Sequence, residues 1–211
     1  MTVPRGWLRA SLLFGLAAGC SGLPPPMIGS PGPELTDGKA NAQYQALLQR
    51  YSAQRQIFIG FDTICFGGVT YESPAFREAR VRRRDAFLAE PPAQVGRDVE
   101  AALVEGDFYE FTVGVYMQNP RFDDLGLPGS IWRLALVTPV GQVGPTLIKR
   151  LGHADVNTRA YYPYMGDFWT VYQVRFPKLV QAQALVPPEL PTFTVLLASS
   201  LGKAEFPLPT Q

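Results

Sequence analysis

A mainly β fold with a few helices (α+β) is what this sequence of 211 residues predicts. Its second half alternates apolar and polar side chains over several short segments, which is the period of a half-buried strand. Glycine and proline occur 20 times each and separate those segments as turn residues. Aromatic residues make up 12% of the chain and favour strands over a helical bundle. About seven strands with turns between them predict an immunoglobulin-like antiparallel β-sandwich.

The chain begins with the pattern of an export signal, predicted over residues 1–19. Arg5 and Arg9 make its start positive, and the uncharged run over residues 10–18 is mostly apolar. That run is too short to span a bilayer as a helix, and small residues close it before Cys20. The pattern therefore predicts export from the cytoplasm.

The end of this signal, Leu16-Ala17-Ala18-Gly19-Cys20, resembles the lipobox of bacterial lipoproteins. In that family the cysteine receives a diacylglycerol, the signal is cut before it, and the new amine is acylated, for example with palmitate. The resemblance implies lipidation at Cys20, attachment to a membrane of the cell envelope through that anchor and, because Ser21 rather than aspartate follows, the outer membrane. The alternative is an ordinary cleaved signal in which Cys20 is incidental.

Behind the anchor, residues 20–35 are rich in proline and glycine and predict an extended, partly stiff tether. A single β-sandwich domain is predicted over residues 36–211, with helices near 37–55, 74–89 and 91–105. Tyr44 and Leu48 lie one helical turn apart on the apolar stripe of the first helix. Ser73-Pro74 has the composition of a helix start, with a capping serine followed by proline.

Strands account for most of the remaining domain. The apolar run 57–66, ended by Gly67-Gly68, predicts the first strand, so that the second and third helices form an insertion after it. Further strands are predicted over 107–117, 130–138, 145–151, 168–176, 191–199 and 204–208.

The second half is also similar to a broad group of uncharacterised bacterial lipoproteins with strands of this type. This resemblance implies a fold and a location, and it carries no known activity. The similar pieces are Phe111 to Tyr116, Asp124-Leu125, Ser130 to Arg133, Pro145 with Ile148, and Tyr172 to Pro177.

The charge of the chain argues against nucleic acid as a partner. Lys+Arg falls from 19 to 17 when Arg5 and Arg9 leave with the signal, against 18 Asp+Glu, so the formal charge changes from +1 to −1. A nearly neutral protein lacks the basic footprint that binds phosphate backbones. Gly67-Gly68 lacks the lysine and the following helix of a phosphate loop, so no cofactor is predicted.

Few residues have the chemistry of a catalytic or metal site, and neither kind of site is predicted. His153 is the sole histidine, and lipidation of Cys20 leaves Cys65 alone in an apolar run, as expected of a buried thiol. A cluster of loop aspartates leaves calcium open as an alternative to simple turn residues. Those aspartates are Asp107, Asp123, Asp124, Asp155 and Asp167.

Two groups of side chains are candidate surfaces. Tyr161, Tyr162 and Trp169 form a candidate partner-binding surface, with packing inside the protein as the alternative. Arg77, Arg80 and Arg84 share one face of the second helix. They form a candidate basic face for anionic lipid or an acidic partner, with a solvated helix face as the alternative.

The sequence thus predicts a membrane-anchored, non-catalytic interaction or structural module with a protein partner in the envelope. Two alternatives remain open. One is a hydrolase that uses carboxylates distant in the chain. The other is a carrier of a lipid or small ligand in the space between the sheets.

Overall fold

The computed structural model describes residues 34–211. The export signal, Cys20 and all but the last two residues of the predicted tether lie outside the described residues. Residues 34–211 contain four α-helices, α1 (Gly38–Tyr51), α2 (Pro74–Leu88), α3 (Pro92–Leu103) and α4 (Val156–Tyr161), and one 3₁₀ turn, Pro120–Phe122. The strands are β1 (Ser52–Ile59), β2 (Asp62–Tyr71), β3 (Phe108–Met117), β4 (Arg133–Thr138), β5 (Gly141–Val143), β6 (Leu147–His153), β7 (Thr170–Pro177), β8 (Leu179–Val180), β9 (Gln183–Ala184), β10 (Thr192–Ser199) and β11 (Gly202–Pro209).

The strands form two main antiparallel sheets, which confirms the predicted α+β class. The large sheet has the order β1-β2-β3-β7-β6, and the small sheet has the order β11-β10-β4-β5. A short ribbon of β8 and β9 lies outside both. The sheets face each other: the Phe193 ring lies 5.3 Å from that of Tyr71 and 5.6 Å from that of Phe111, between ring centroids.

Large apolar side chains fill the space between the two sheets. Phe111 and Phe176 of the large sheet and Phe193 and Phe206 of the small sheet are almost fully buried. Removing side chains of this size from water is the main stabilising contribution to such a core.

The opposite face of the large sheet is covered by helices and by the segment that follows α4. Gly68 and Gly114 are paired across β2 and β3, and their missing side chains make room on this face. A Cβ added at Gly114 would lie 2.7 Å from Met165 Cε and 3.0 Å from Trp169 Cε3. The two glycines therefore let an aromatic segment pack directly on the strand backbones.

The predicted first strand is wrong in its limits. The run 57–66 contains the turn of a hairpin: β1 ends at Ile59, Gly60 turns the chain with φ +61, and β2 begins at Asp62. The predicted stop at Gly67-Gly68 lies inside β2, because both glycines accommodate aromatic rings packed on the two faces of the strand. The helices α2 and α3 consequently follow the second strand and not the first.

The first helix is shorter than the predicted 37–55. Asp37 caps its start by accepting hydrogen bonds from the backbone N–H groups of Lys39 and Ala40. It ends at Tyr51 because Ser52 is already extended and pairs with Thr70 in the β1–β2 ladder.

Candidate functional site

A buried carboxylate follows β2: Glu72 is 4% exposed. Its Oε1 accepts hydrogen bonds from Thr112 Oγ1 at 2.7 Å and from Tyr162 OH at 2.5 Å. Its Oε2 accepts one from Arg80 Nε at 3.1 Å. These four residues, the Glu72 cluster, join β2, β3, α2 and the segment after α4.

Burial and the negative charge control the electrostatics of the Glu72 cluster. Burial, followed by the nearby Glu72 charge, raises the pKa of Tyr162 well above its usual range, so the phenol stays neutral and donates. Burial alone would lower the pKa of Arg80, but the adjacent carboxylate outweighs it and raises that pKa. A neutral donor and a guanidinium thus hold the carboxylate in place.

This arrangement suits a structural role better than a catalytic one. A general base or nucleophile must reach the atoms of a substrate. Both oxygens of Glu72 are instead engaged by protein donors beneath the helices. The cluster holds the helical layer on the large sheet.

A buried arginine next to this cluster reinforces the same layer. Arg83 Nε donates to the carbonyl of Ala160 at 2.7 Å, and Nη1 donates to Asn41 Oδ1 at 2.7 Å. Its guanidinium carbon lies 4.6 Å from the centroid of the Tyr44 ring. Arg83 of α2 therefore contacts both α1 and α4.

Two of the three arginines of the predicted basic face of Arg77, Arg80 and Arg84 are paired with acids of the domain. Arg80 binds Glu72, and Arg84 Nη2 lies 2.6 Å from Asp85 Oδ1 and also pairs with Asp98. Arg77 Nη1 donates to the carbonyl of Val104, at 3.4 Å. Packing of α2 against α3 and against Glu72, which follows β2, brings acids to Arg80 and Arg84, so these two charges are offset inside the domain.

Burial contradicts two of the three residues of the predicted partner-binding surface of Tyr161, Tyr162 and Trp169. Tyr162 and Trp169 are buried, and Tyr161 is half-buried. The Tyr162 hydroxyl enters the Glu72 cluster, while Trp169 packs on Gly114. Packing inside the protein, the alternative to a surface, is what the structure shows. Gly68 and Gly114, each inside a β-rich segment, were the sequence signal that could have indicated such packing.

The loop aspartates hold turns and strands together. Asp123 accepts hydrogen bonds from Thr170 Oγ1 at 2.8 Å, Tyr172 OH at 3.0 Å and Arg150 Nη2 at 2.8 Å. Asp155 caps α4 by accepting from the backbone N–H of Thr158 at 2.7 Å, and this bond lowers its pKa. Within residues 34–211, His, Cys, Asp and Glu side chains form no group of three that could hold a metal ion.

Cys65 and His153 occupy contrasting places. Cys65 is 1% exposed, and burial, with a smaller contribution from Asp123, raises the pKa of its thiol to about 12. The reactive thiolate is therefore scarce at neutral pH. His153 is exposed at the end of β6.

Three carboxylates line one cleft of about 490 Å³ near the start of β3: Glu72, Glu105 and Glu110. A basic side chain pairs with each of these three carboxylates, as Arg80 does with Glu72. Lys178 Nζ lies 2.9 Å from Glu105, and Arg175 Nε lies 2.8 Å from Glu110. The arrangement is one of separate ion pairs, whereas most glycoside hydrolases use two acids that act on one bond.

Six exposed apolar side chains lie at one end of the large sheet. They are six of the eleven large apolar side chains that are exposed among residues 34–211. In this antiparallel sheet the ends of β1, β3 and β6 and the starts of β2 and β7 lie on one side, with the end of β3 between the hairpin and β7. Five strands at a spacing of about 4.8 Å make this end roughly 19 Å wide. The six, called the apolar end, are Phe58, Ile59, Phe61, Leu151, Val156 and Phe168.

The hairpin between β1 and β2 forms the most prominent part of the apolar end. Phe61 is fully exposed at its turn, beside Phe58 at 54% and Ile59 at 49%. Phe168, at 77%, precedes β7. Sequence reasoning missed this surface because it interpreted the apolar run 57–66 as one buried strand.

No family model, curated protein or solved structure matches this chain. The residues themselves therefore carry the functional argument. Among residues 34–211, no helix has both the length and the apolar character needed to cross a bilayer.

Proposed function

We propose that this protein is a lipid-anchored component of the bacterial cell envelope whose domain is a non-catalytic interaction or structural module. Cys20 carries the anchor, and the location is the outer membrane, on its periplasmic or surface face. The apolar end is the observation that supports an interaction role.

The apolar end supports an interaction role because its side chains are exposed and do not belong to the hydrophobic core. Single exposed apolar residues are ordinary on soluble proteins, whereas groups of them mark interaction sites. Here Phe58, Ile59 and Phe61 sit together on one hairpin, and Phe168 lies at the same end of the sheet. The charged groups of the Glu72 cluster, in contrast, are occupied within the domain.

We further propose that the domain is an immunoglobulin-like sandwich that recognises its partner through the loops at one end of its sheets. Two facing antiparallel sheets support this comparison. The proposed recognition surface is the apolar end, where a hairpin and the segments next to β6 and β7 adjoin.

The anchor is tested by intact mass of the protein from the membrane fraction of cells that make the full chain. The expected product begins at Cys20 and carries the added mass of a diacylglycerol and an acyl group. Cys20→Ala removes that mass. Cys65→Ala is the matched control, because Cys65 is buried in the domain and this change leaves the acyl mass in place.

A membrane-fraction protein without acyl mass would contradict the anchor, whether it retains its signal or is cut elsewhere. Acyl mass that persists in Cys20→Ala would contradict the choice of residue.

A further inference from the structure

We infer that the apolar end inserts into the interface of a lipid bilayer, so the partner of this surface is the membrane that holds the anchor. This inference rests on the proposed function and adds to it which part of the domain meets the membrane. Interfacial insertion buries apolar side chains about 5–10 Å deep at the boundary of headgroups and acyl chains.

The shape of the apolar end favours lipid over a folded protein partner. Gly60 turns the hairpin with φ +61 and places Phe61, fully exposed, at its tip. The six side chains come from separate segments that end at one side of the sheet. A protein partner requires a matching surface at core packing density, whereas lipid adapts to projecting side chains.

The length of chain before the domain also favours the membrane. Residues 21–33 lie between Cys20 and Glu34, the first residue that the structure describes. Fourteen extended residues span at most about 50 Å. An anchored domain is therefore confined near the bilayer, and short linkers give effective concentrations in the millimolar range. Under that confinement a weak affinity of the apolar end is sufficient for contact.

The charges at this end are mixed: Arg121, exposed after β3, attracts anionic headgroups, and two of the aspartates are paired. Asp123 is paired with Arg150, and Asp167 with Arg159 at 2.8 Å, so their negative charges are offset within the domain. Asp62 is exposed beside Phe61, at the depth where hydrated headgroups accommodate a carboxylate.

The test introduces tryptophan at either end of the domain in the full lipidated chain. Phe61→Trp reports on the apolar end, with Phe168→Trp as a second reporter in case one variant folds poorly. Leu179→Trp is the matched control, because Leu179 is 62% exposed and follows the opposite end of β7. Of the three native tryptophans, Trp7 leaves with the predicted signal, and Trp132 and Trp169 are buried and contribute a common background.

Each variant is placed in vesicles of phosphatidylethanolamine and phosphatidylglycerol, with and without brominated acyl chains that quench nearby indoles. We expect several-fold stronger quenching of Phe61→Trp and Phe168→Trp than of Leu179→Trp, with a blue shift of their emission. Equal quenching at the two ends would overturn the inference.

Failure of the anchor and failure of the inference give different results. An absent acyl mass refutes the anchor alone, since the same quenching ratio is then measured with the chain that begins at Cys20, coupled through the Cys20 thiol to a maleimide lipid in the vesicles. Acyl mass with equal quenching at the two ends refutes the inference alone. Quenching confined to the apolar end supports the inference in either case.

Discussion

The Glu72 cluster and the apolar end reverse the usual distribution of polar and apolar groups. The first buries a carboxylate with an arginine, a tyrosine and a threonine, and the second exposes phenylalanines. The cluster is enclosed beneath helices and its hydrogen bonds are made within the domain. The apolar end lies at one end of the large sheet, and its side chains are exposed outside the hydrophobic core.

The comparison separates stability from function. A buried charge that loses a partner is costly, because protein interiors solvate it poorly. An exposed phenylalanine that becomes polar changes little in the folded state. Substitutions in the Glu72 cluster should therefore lower the free energy of unfolding. Substitutions at the apolar end should weaken membrane contact and leave that free energy almost unchanged.

The largest expected effect is on the Glu72 cluster. Glu72→Ala removes the acceptor shared by Arg80, Tyr162 and Thr112, and we expect a loss of about 3 kcal/mol in the free energy of unfolding. The value is at the low end of the range for buried pairs because the Arg80 side chain is 30% exposed. Denaturant unfolding of the full chain measures it.

The control for this change is Glu205→Ala, which breaks an ion pair with Lys203 whose side chains are 57% and 71% exposed. Its expected cost is about 0–1 kcal/mol. Equal costs for Glu72→Ala and Glu205→Ala would remove the distinction between an enclosed cluster and the surface.

The next effect concerns the glycines beneath the aromatic segment. In Gly68→Ala the new Cβ would collide with the ring of Tyr164, whose hydroxyl is held 2.8 Å from Thr70 Oγ1. We expect a loss of about 1–3 kcal/mol, as for an overpacked core. Thermal melting compares it with Gly144→Ala, where the added Cβ meets nothing within 4 Å. Similar melting temperatures would mean that the segment can move away from the sheet.

A smaller, pH-dependent effect is expected at the cap of α4. Hydrogen bonds from Thr158 lower the pKa of Asp155 in the folded state, so its stabilisation is present above the unfolded pKa and lost as the pH falls through the folded value. Asp155→Ala should cost about 1 kcal/mol at pH 7 and progressively less below about pH 4. Melting curves at several pH values measure this difference.

Asp155→Asn is the matched control, since asparagine keeps a capping oxygen without the titrating charge. The cap would have no electrostatic component if Asp155→Ala cost as much in acid as it does at neutral pH.

The smallest effect on stability is expected at the apolar end. The double change Phe58→Ser with Phe61→Ser should alter the free energy of unfolding by no more than about 0.5 kcal/mol. It should nevertheless weaken the contact with vesicles, seen as lower quenching of Phe168→Trp in the same chain. Leu179→Ser serves as the control at the opposite end. A large loss of stability in the double variant would show that the hairpin belongs to the core.

The fold class could be predicted from local sequence patterns because each pattern depends on residues that are close together in the chain. Alternation over residues 107–117 reflects the two faces of one strand, and β3 occupies Phe108–Met117. Ser73-Pro74 is a local helix start, and α2 begins at Pro74 with the N–H of Phe76 donating to Ser73 Oγ.

The candidate surfaces could not be read in this way because exposure depends on distant parts of the chain. Tyr162 is buried where its hydroxyl binds Glu72, 90 residues away, and Trp169 is buried where it packs on Gly114. Phe58 and Phe61 belong to an apolar run that resembles a buried strand, yet the chain turns at Gly60, between the two, and both side chains are exposed.

The sequence by itself determined the α+β class, several helix starts and the lipobox-like motif on which the anchor at Cys20 is proposed. Those features follow from short-range periodicity, capping chemistry and motif spacing. Tertiary structure alone decided which arginines pair inside the domain, which aromatics are buried and where apolar side chains remain exposed. The physical reason is that burial and charge pairing arise between strands and helices that meet in space from separate parts of the chain.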